Sequence, residues 1–171
     1  MIRCNVKLCV GCRSCEVTCS SFHFNAVSPT LSRIRVAKLE ETGIDMAVAC
    51  LSCTEKYCLE CPNDALSVGA SGEILHDISL CDACELCVES CPIGAVGFYE
   101  DQPLLCDLCG GATLCVDECP TGALTYSENE EVSLADFEQA EGTPNQKRAL
   151  YAEAQAVEIR EGWKNGVRID S

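Results

Sequence analysis

The chain has 171 residues, and 17 are Cys, a share that marks a cross-linked or metal-built scaffold rather than an ordinary globular core. Lys and Arg number 12 against 27 Asp and Glu, and the formal net charge of −15 repels nucleic-acid phosphates and anionic lipid heads, so neither is an expected partner. No apolar run approaches the ~18 residues that cross a bilayer, so no membrane insertion is expected. The opening Met1-Ile2-Arg3-Cys4-Asn5 has no basic n-region followed by an apolar h-region and no twin-Arg pair. The chain is therefore read as cytoplasmic, where reduced Cys are metal ligands sooner than disulfides.

In chain order, Ile2-Arg3-Cys4-Asn5-Val6 predicts a first strand in which Cys4 acts as a small hydrophobe. A first group follows, Cys9-x2-Cys12-x2-Cys15-x3-Cys19, with His23 four residues beyond it. Residues 32–50 predict a hairpin: Arg33 to Ala37 alternates, Glu40-Glu41-Thr42-Gly43 turns, and Asp45 to Ala49 returns. The second group is Cys50-x2-Cys53-x4-Cys58-x2-Cys61-Pro62. Next come a strand-like Leu66-Ser67-Val68, a turn at Gly69 to Gly72, and a returning strand that carries His76, expected to face solvent or pair locally. The third group is Cys81-x2-Cys84-x2-Cys87-x3-Cys91-Pro92, and the fourth is Cys106-x2-Cys109-x5-Cys115-x3-Cys119-Pro120.

The tail differs in character. Ser127 to Glu141 is acidic, with a short helix opening at Ser133 to Asp136. Thr143-Pro144-Asn145-Gln146 has the form of a capping box and predicts a helix through Val157 toward Gly162. Its apolar Leu150, Ala154 and Val157 form a face that either packs on the cysteine-rich region or docks a larger subunit. The expected organisation is a cysteine-rich domain over 1–126 and a partly helical, partner-docking extension over 127–171.

Sixteen Cys thus fall into four groups of four, with Cys4 left over. The tails repeat as well: Cys61-Pro62-Asn63-Asp64-Ala65, Cys91-Pro92-Ile93-Gly94-Ala95 and Cys119-Pro120-Thr121-Gly122-Ala123. One supersecondary unit, a cysteine loop with a helical turn and a strand, has been multiplied. A C-x2-C-x2-C loop turns its thiolates onto one [4Fe–4S] cube, and the Cys before Pro ligates a neighbouring cube. The third group matches the bacterial ferredoxin run. The predicted fold is α+β: a duplicated bacterial-ferredoxin-like (4Fe–4S) domain with short hairpins and a helical C-terminal extension. Zinc is the competing ion, and it is possible at the Cys50/Cys53/Cys58 site, where Cys50/Cys53 and Cys58/Cys61 also read as two C-x2-C pairs. The cofactor is accordingly four [4Fe–4S] clusters, or three plus one zinc. No Ser/His/Asp or Cys/His catalytic set stands out, so no catalytic residue is nominated.

One stretch is more particular. Glu16, Cys19, Ser20 and His23, then Pro29, Ser32, Arg33, Ile34 and Val36, follow an E-x-x-C-S-x-x-H…P-x-x-S-R-I-x-V pattern. With Cys106-Asp107-Leu108-Cys109-Gly110-Gly111, it resembles the four-cluster polyferredoxin electron-transfer subunits of tungsten enzymes of the aldehyde:ferredoxin oxidoreductase family. The resemblance covers residues 1 to about 127. It implies that Cys9, Cys12, Cys15 and Cys119 hold one cluster, and Cys19, Cys106, Cys109 and Cys115 its neighbour. It implies a third at Cys50, Cys53, Cys58 and Cys91 and a fourth at Cys61, Cys81, Cys84 and Cys87. The second group departs from the family by closing one residue short, with only Leu59 and Glu60 before Cys61. His23, within the pattern, would donate to a cluster sulfur or the partner, or hold the loop.

The function so implied is relay of low-potential electrons to or from a larger tungsten (or molybdopterin) catalytic subunit, alongside further electron-transfer subunits. The substrate of that larger subunit, benzoyl-coenzyme A or an aldehyde, is given by resemblance alone. The alternatives are a beta subunit of a hydrogenase or formate dehydrogenase-type complex, a free-standing ferredoxin, or a zinc-bound Cys-rich interaction module.

Overall fold

The computed structural model describes residues 1–128 and 130–164. Cysteine loops interrupt the chain so often that its strands are short. They are β1 (Ile2–Cys4), β2 (Arg35–Leu39), β3 (Ile44–Val48), β4 (Leu66–Val68), β5 (Ile74–His76), β6 (Gly97–Tyr99), β7 (Gln102–Leu104) and β8 (Leu124–Tyr126). The helices are α1 (Ser14–Phe24), α2 (Leu86–Ser90), α3 (Leu114–Asp117), α4 (Pro144–Gln155) and α5 (Val157–Lys164). Each strand has a single antiparallel partner: β2 with β3, β4 with β5, β6 with β7, and β1 with the distant β8. In the last pair Ile2 faces Tyr126 and Cys4 faces Leu124. Flanking bonds extend it, from Asn5 N–H to Ala123 O at 2.7 Å and from Ser127 N–H to Met1 O at 3.0 Å.

The β2–β3 hairpin follows the predicted alternation, with Leu39 opposite Ile44 across the turn. Strand β3 is buried on both faces, because successive side chains point to opposite sides. Met46 and Val48 enter one core with Leu51, Cys58, Cys91 and Ile93. Ala47 and Ala49 enter another with Ile2, Cys15, Cys19, Leu108 and Cys115. The hairpin is therefore a partition, with the second and third cysteine groups on one side and the first and fourth on the other.

The extension packs into the first of these cores. Leu134, Tyr151 and Ala152 are buried there, and the Phe137 and Tyr151 rings meet edge to face at 5.2 Å. Residues 131–134 lie along the second cysteine loop: Thr54 N–H donates to Val132 O at 3.1 Å, Lys56 pairs with Glu131 at 2.7 Å, and Glu55 accepts from Leu134 N–H at 3.1 Å. The predicted short helix is a single 3-10 turn, Ala135–Phe137. The capping box forms as expected: Thr143 Oγ1 accepts from Gln146 N–H at 3.4 Å, and Gln146 Oε1 accepts from Thr143 N–H at 2.8 Å. Instead of one continuous helix, the chain breaks at Ala156, whose N–H is shared between the Ala152 and Glu153 carbonyls. Residues 165–171 of the extension, and Asn129, lie outside the described residues.

The face that holds α4 is not the expected stripe of Leu150, Ala154 and Val157: Tyr151 and Ala152 are buried instead, beside two basic residues. Leu150 and Val157 are 48% and 46% exposed, whereas Lys147 and Arg148 are 7% and 6% exposed. Long aliphatic stems fill the contact, and their charged heads cap carbonyls: Lys147 Nζ donates to Glu89 O at 2.6 Å, and Arg148 donates to Gly94 O and to Asn145 Oδ1. Gly94 has a φ of 61°, and a Cβ there would strike the Pro144 carbonyl. Gly94→Ala should therefore loosen α4 and cost about 1–3 kcal/mol. A thermal midpoint of the anaerobic protein equal to that of the unsubstituted chain would show that α4 is not held at this point.

Candidate metal centres

The four cysteine loops share one backbone conformation. In each, the residue before the second Cys and the residue two before the third Cys have positive φ. The pairs are Gly11 (61°) and Arg13 (63°), Ser52 (46°) and Lys56 (52°), Ala83 (61°) and Glu85 (61°), and Leu108 (55°) and Thr113 (45°). Among these eight positions only Gly11 is Gly, so the others carry strain of about 1–3 kcal/mol each. Such strain persists where something outside the local chain fixes the loop. Left-handed residues interleaved along a loop turn successive N–H groups inward, the concavity in which Fe–S sites form.

In three groups the third and fourth Cys are four residues apart at a helix, both within it only in the first group. Cys15 and Cys19 sit in α1 four residues apart, and Cys87/Cys91 and Cys115/Cys119 begin in α2 and α3 with the same spacing. Four residues is close to one α-helical turn, so Cys15 and Cys19 share a face. The second group instead forms a 3-10 turn, Tyr57–Leu59, which has about three residues per turn. Cys58 lies within that turn, and Cys61 follows two residues after its end.

Thiols from different groups then converge. Cys9, Cys12, Cys15 and Cys119 line one cavity, with Val36, Ala47 and Leu124 in its wall. Cys61, Cys81, Cys84 and Cys87 line a second, with Leu66 and Phe98. Burial pushes the Cys58 thiol up to about 12, and Cys50, Cys91 and Cys53 nearby push it the same way. Cys115 is likewise raised to about 12 by burial, with Cys19 and Cys109 adding to it. Burial lifts Cys106 well above its ordinary value, with Cys50 the next cause. Thiols crowded in an apolar interior cannot ionise beside one another, and a bound cation is what releases their protons. An all-sulfur donor set of this kind suits iron–sulfur clusters or zinc, not hard cations. The residues present therefore fit the group that their spacing implies.

Around these thiols, the patterned stretch is a hydrogen-bonded frame. Glu16, 3% exposed, accepts from Val36 N–H at 2.7 Å and ties α1 to β2. Ser20 Oγ accepts from Ser28 N–H at 3.2 Å, and Arg33 N–H donates to Cys19 Sγ at 3.2 Å. A matching bond runs from Ala95 N–H to Cys91 Sγ at 3.2 Å. The Arg33 guanidinium holds Asp107 at 2.6 Å, and Asp107 accepts from Cys109 N–H at 3.0 Å. His23 Nε2 lies 3.8 Å from Cys109 Sγ and 3.4 Å from Asp107 Oδ1, and burial, with Arg33 nearby, lowers its pKa. Cys4 is partly buried and packs against both cores, the small apolar filler that its strand predicts.

His76 departs from expectation. Its Nε2 does not reach solvent or a local partner; it is buried without a hydrogen bond among the described residues. The cause is register: opposite Leu66 and two residues from Ile74, it lies on the inward face of the β4–β5 ribbon.

Residues 74–96 match the family described as 4Fe-4S binding domain. The polyferredoxin-like subunit of an aliphatic sulfonate oxidoreductase from Pyrococcus furiosus is 39% identical over 104 residues, 58% of this chain and 60% of that protein. The formate dehydrogenase iron-sulfur subunit of Wolinella succinogenes is 34% identical over 100 residues, 56% of this chain and 49% of that protein. This chain is similar to iron–sulfur electron-transfer subunits. It spans about half the length of those relatives, to within the 49% and 60% just given. Among solved structures, a chain of the active-site complex BamBC of benzoyl-coenzyme A reductase with benzoyl-CoA is 30% identical, with 75% of this chain and 79% of that one covered and a TM-score of 0.45. No helix among the described residues is long and apolar enough to cross a membrane.

Asp107 joins the first half of the chain to the fourth cysteine loop. Asp107→Ala removes its bonds to Arg33 and Cys109 and should destabilise the protein by about 1–2 kcal/mol, since both groups are partly exposed. Iron content after gel filtration is the check; a full complement with an unchanged midpoint would show that this ion pair does not hold the loop.

Proposed function

We propose that the chain is an iron–sulfur electron-transfer subunit with four [4Fe–4S] clusters in a row. One observation carries this: thiols far apart in the sequence line shared cavities, Cys119 with Cys9, Cys12 and Cys15, and Cys61 with Cys81, Cys84 and Cys87. The ionisation of the buried thiols supports links between the sets. Cys15 is raised to about 12 by burial, then by Glu16 and by Cys115, which belongs to the next set. Cys106 is affected by Cys50 of the set after that. Cys58, in turn, is affected by Cys87. The ligand sets are then Cys9, Cys12, Cys15 and Cys119; Cys19, Cys106, Cys109 and Cys115; Cys50, Cys53, Cys58 and Cys91; and Cys61, Cys81, Cys84 and Cys87. The shared cavities support the first and last sets, and the mutual effects on ionisation support the middle two.

Bound clusters accept and pass single electrons. The chain's own residues fix their spacing, exclude water from the two cores, and surround them with a net charge of −15 that disfavours each added electron. Low-potential electrons are the natural cargo. The partner we propose is a larger tungsten or molybdenum cofactor subunit, with benzoyl-coenzyme A or an aldehyde as its substrate. Support comes from Glu16, Ser20, His23, Ser32 and Arg33, the patterned residues, which all engage the frame around Cys19 and Cys109 or its neighbouring turns. The formate dehydrogenase relative favours a second reading, a subunit of a formate dehydrogenase or hydrogenase-type complex.

Anaerobically purified protein should contain about sixteen iron atoms and as many acid-labile sulfides per chain. About twelve iron with one zinc would assign zinc to Cys50, Cys53 and Cys58; little iron would end the proposal. The outward face of α4 and α5, with Leu150 and Val157 exposed, is proposed as the docking face for the larger subunit. A Leu150→Glu, Val157→Glu variant should keep its iron and lose about tenfold or more in affinity for that subunit, because desolvating two carboxylates opposes burial. Undiminished co-purification would sink the docking assignment.

A further inference from the structure

The buried Nε2 of His76 has no hydrogen-bond partner among the described residues. Two other buried side-chain atoms share that condition, Glu16 Oε2 and Arg33 Nε, but each belongs to a group that is otherwise engaged. Glu16 bonds Val36 and lies 3.8 Å from Arg13, and Arg33 pairs with Asp107 at 2.6 Å. His76 has no such second contact. It stands between two cavities, one lined also by Arg33, Glu100, Gln102 and Asp107, the other by Cys61, Cys81, Cys84 and Cys87 with a largely apolar remaining wall, and it is the second that holds sulfur. Asp82, the carboxylate beside this loop, already accepts from Cys84 N–H at 3.3 Å. A neutral imidazole with one nitrogen buried needs an acceptor there if that nitrogen carries its proton, and sulfur is the acceptor this second cavity offers.

On the reading that these four Cys hold a [4Fe–4S] cluster, we propose that His76 is a positioning residue that donates its Nε2–H to a sulfur of that cluster and so sets its potential. An N–H dipole aimed at a cluster sulfur stabilises the more negative, reduced state, so the bond raises the potential of this centre relative to one without it. The effect would fall on the set that includes the exposed Cys84. His76 thus separates from His23, whose ring nitrogen already has Asp107 and Cys109 within 3.8 Å.

The test is an EPR-monitored redox titration of the intact chain and three variants. Cys84→Ser should alter or remove one cluster signal and so assign it; if every signal is unchanged, the underlying ligand set is wrong and the inference falls with it. In His76→Leu, which keeps the apolar volume, that same signal should shift to lower potential while the others stay. In His76→Gln, which can present an N–H near the Nε2 position, the potential should return toward that of the unsubstituted chain. An assigned signal whose potential is the same in His76→Leu would overturn the role. If His76→Leu loses the cluster altogether, the Gln variant decides: an intact cluster at the original potential supports the hydrogen bond, and loss in both variants reduces His76 to a packing residue.

Discussion

Cysteine thiols gathered in an apolar interior cannot give up their protons side by side, and the rest of this protein is arranged around that constraint. Burial, with the thiols beside them adding to it, raises Cys15, Cys58 and Cys115 to about 12. A cation reverses the penalty, because it is the opposite charge that the thiolates lack, and metal–thiolate bonds then supply folding free energy directly. This explains how strands of three to five residues suffice. It also explains the left-handed residues in every cysteine loop, a conformation that Ala83, Leu108 or Thr113 would not hold unaided. Between the two cores, β3 lends one face to each, so a change at Met46 or Ala47 is felt by a different pair of cysteine groups.

Spacing made the sites legible in the sequence. Cysteines far apart in the sequence line common cavities, as the repeated groups lead one to expect. What spacing could not convey is conformation without a residue signature. A left-handed Leu108 or Thr113 looks like any loop residue, since the usual marker, Gly, is present at Gly11 alone of the eight repeated positions. His76 was misjudged for a related reason. The Leu66–Val68 and Ile74–His76 runs are too short for alternation to say which face is inward, and pairing register decides it.

The extension teaches the same lesson through side-chain shape. Its helix start was plain from Thr143 to Gln146, because a capping box is a local device. Its buried face was not, because Lys147 and Arg148 count as polar in any periodicity, yet they lay aliphatic stems against the cluster region and carry their charges to the carbonyls of Glu89 and Gly94. The apolar Leu150 and Val157 are left outside.

The pairing of β1 with β8 bears on the order in which the molecule can be made. Ile2–Cys4 has no strand to lie against until Leu124 has left the ribosome, whereas the β2–β3 and β4–β5 ribbons close within a few residues of their own turns. Contacts of such long sequence separation form late, because the intervening chain must first be ordered. The core that holds Cys15 and Cys115 thus waits for Leu124, and the one that holds Cys58 and Cys91 is completed only when Leu134, Tyr151 and Ala152 have been made. Until then the thiols of the first group stand open to oxygen and stray metal, so the interval between the start and the end of translation is when this protein is most vulnerable.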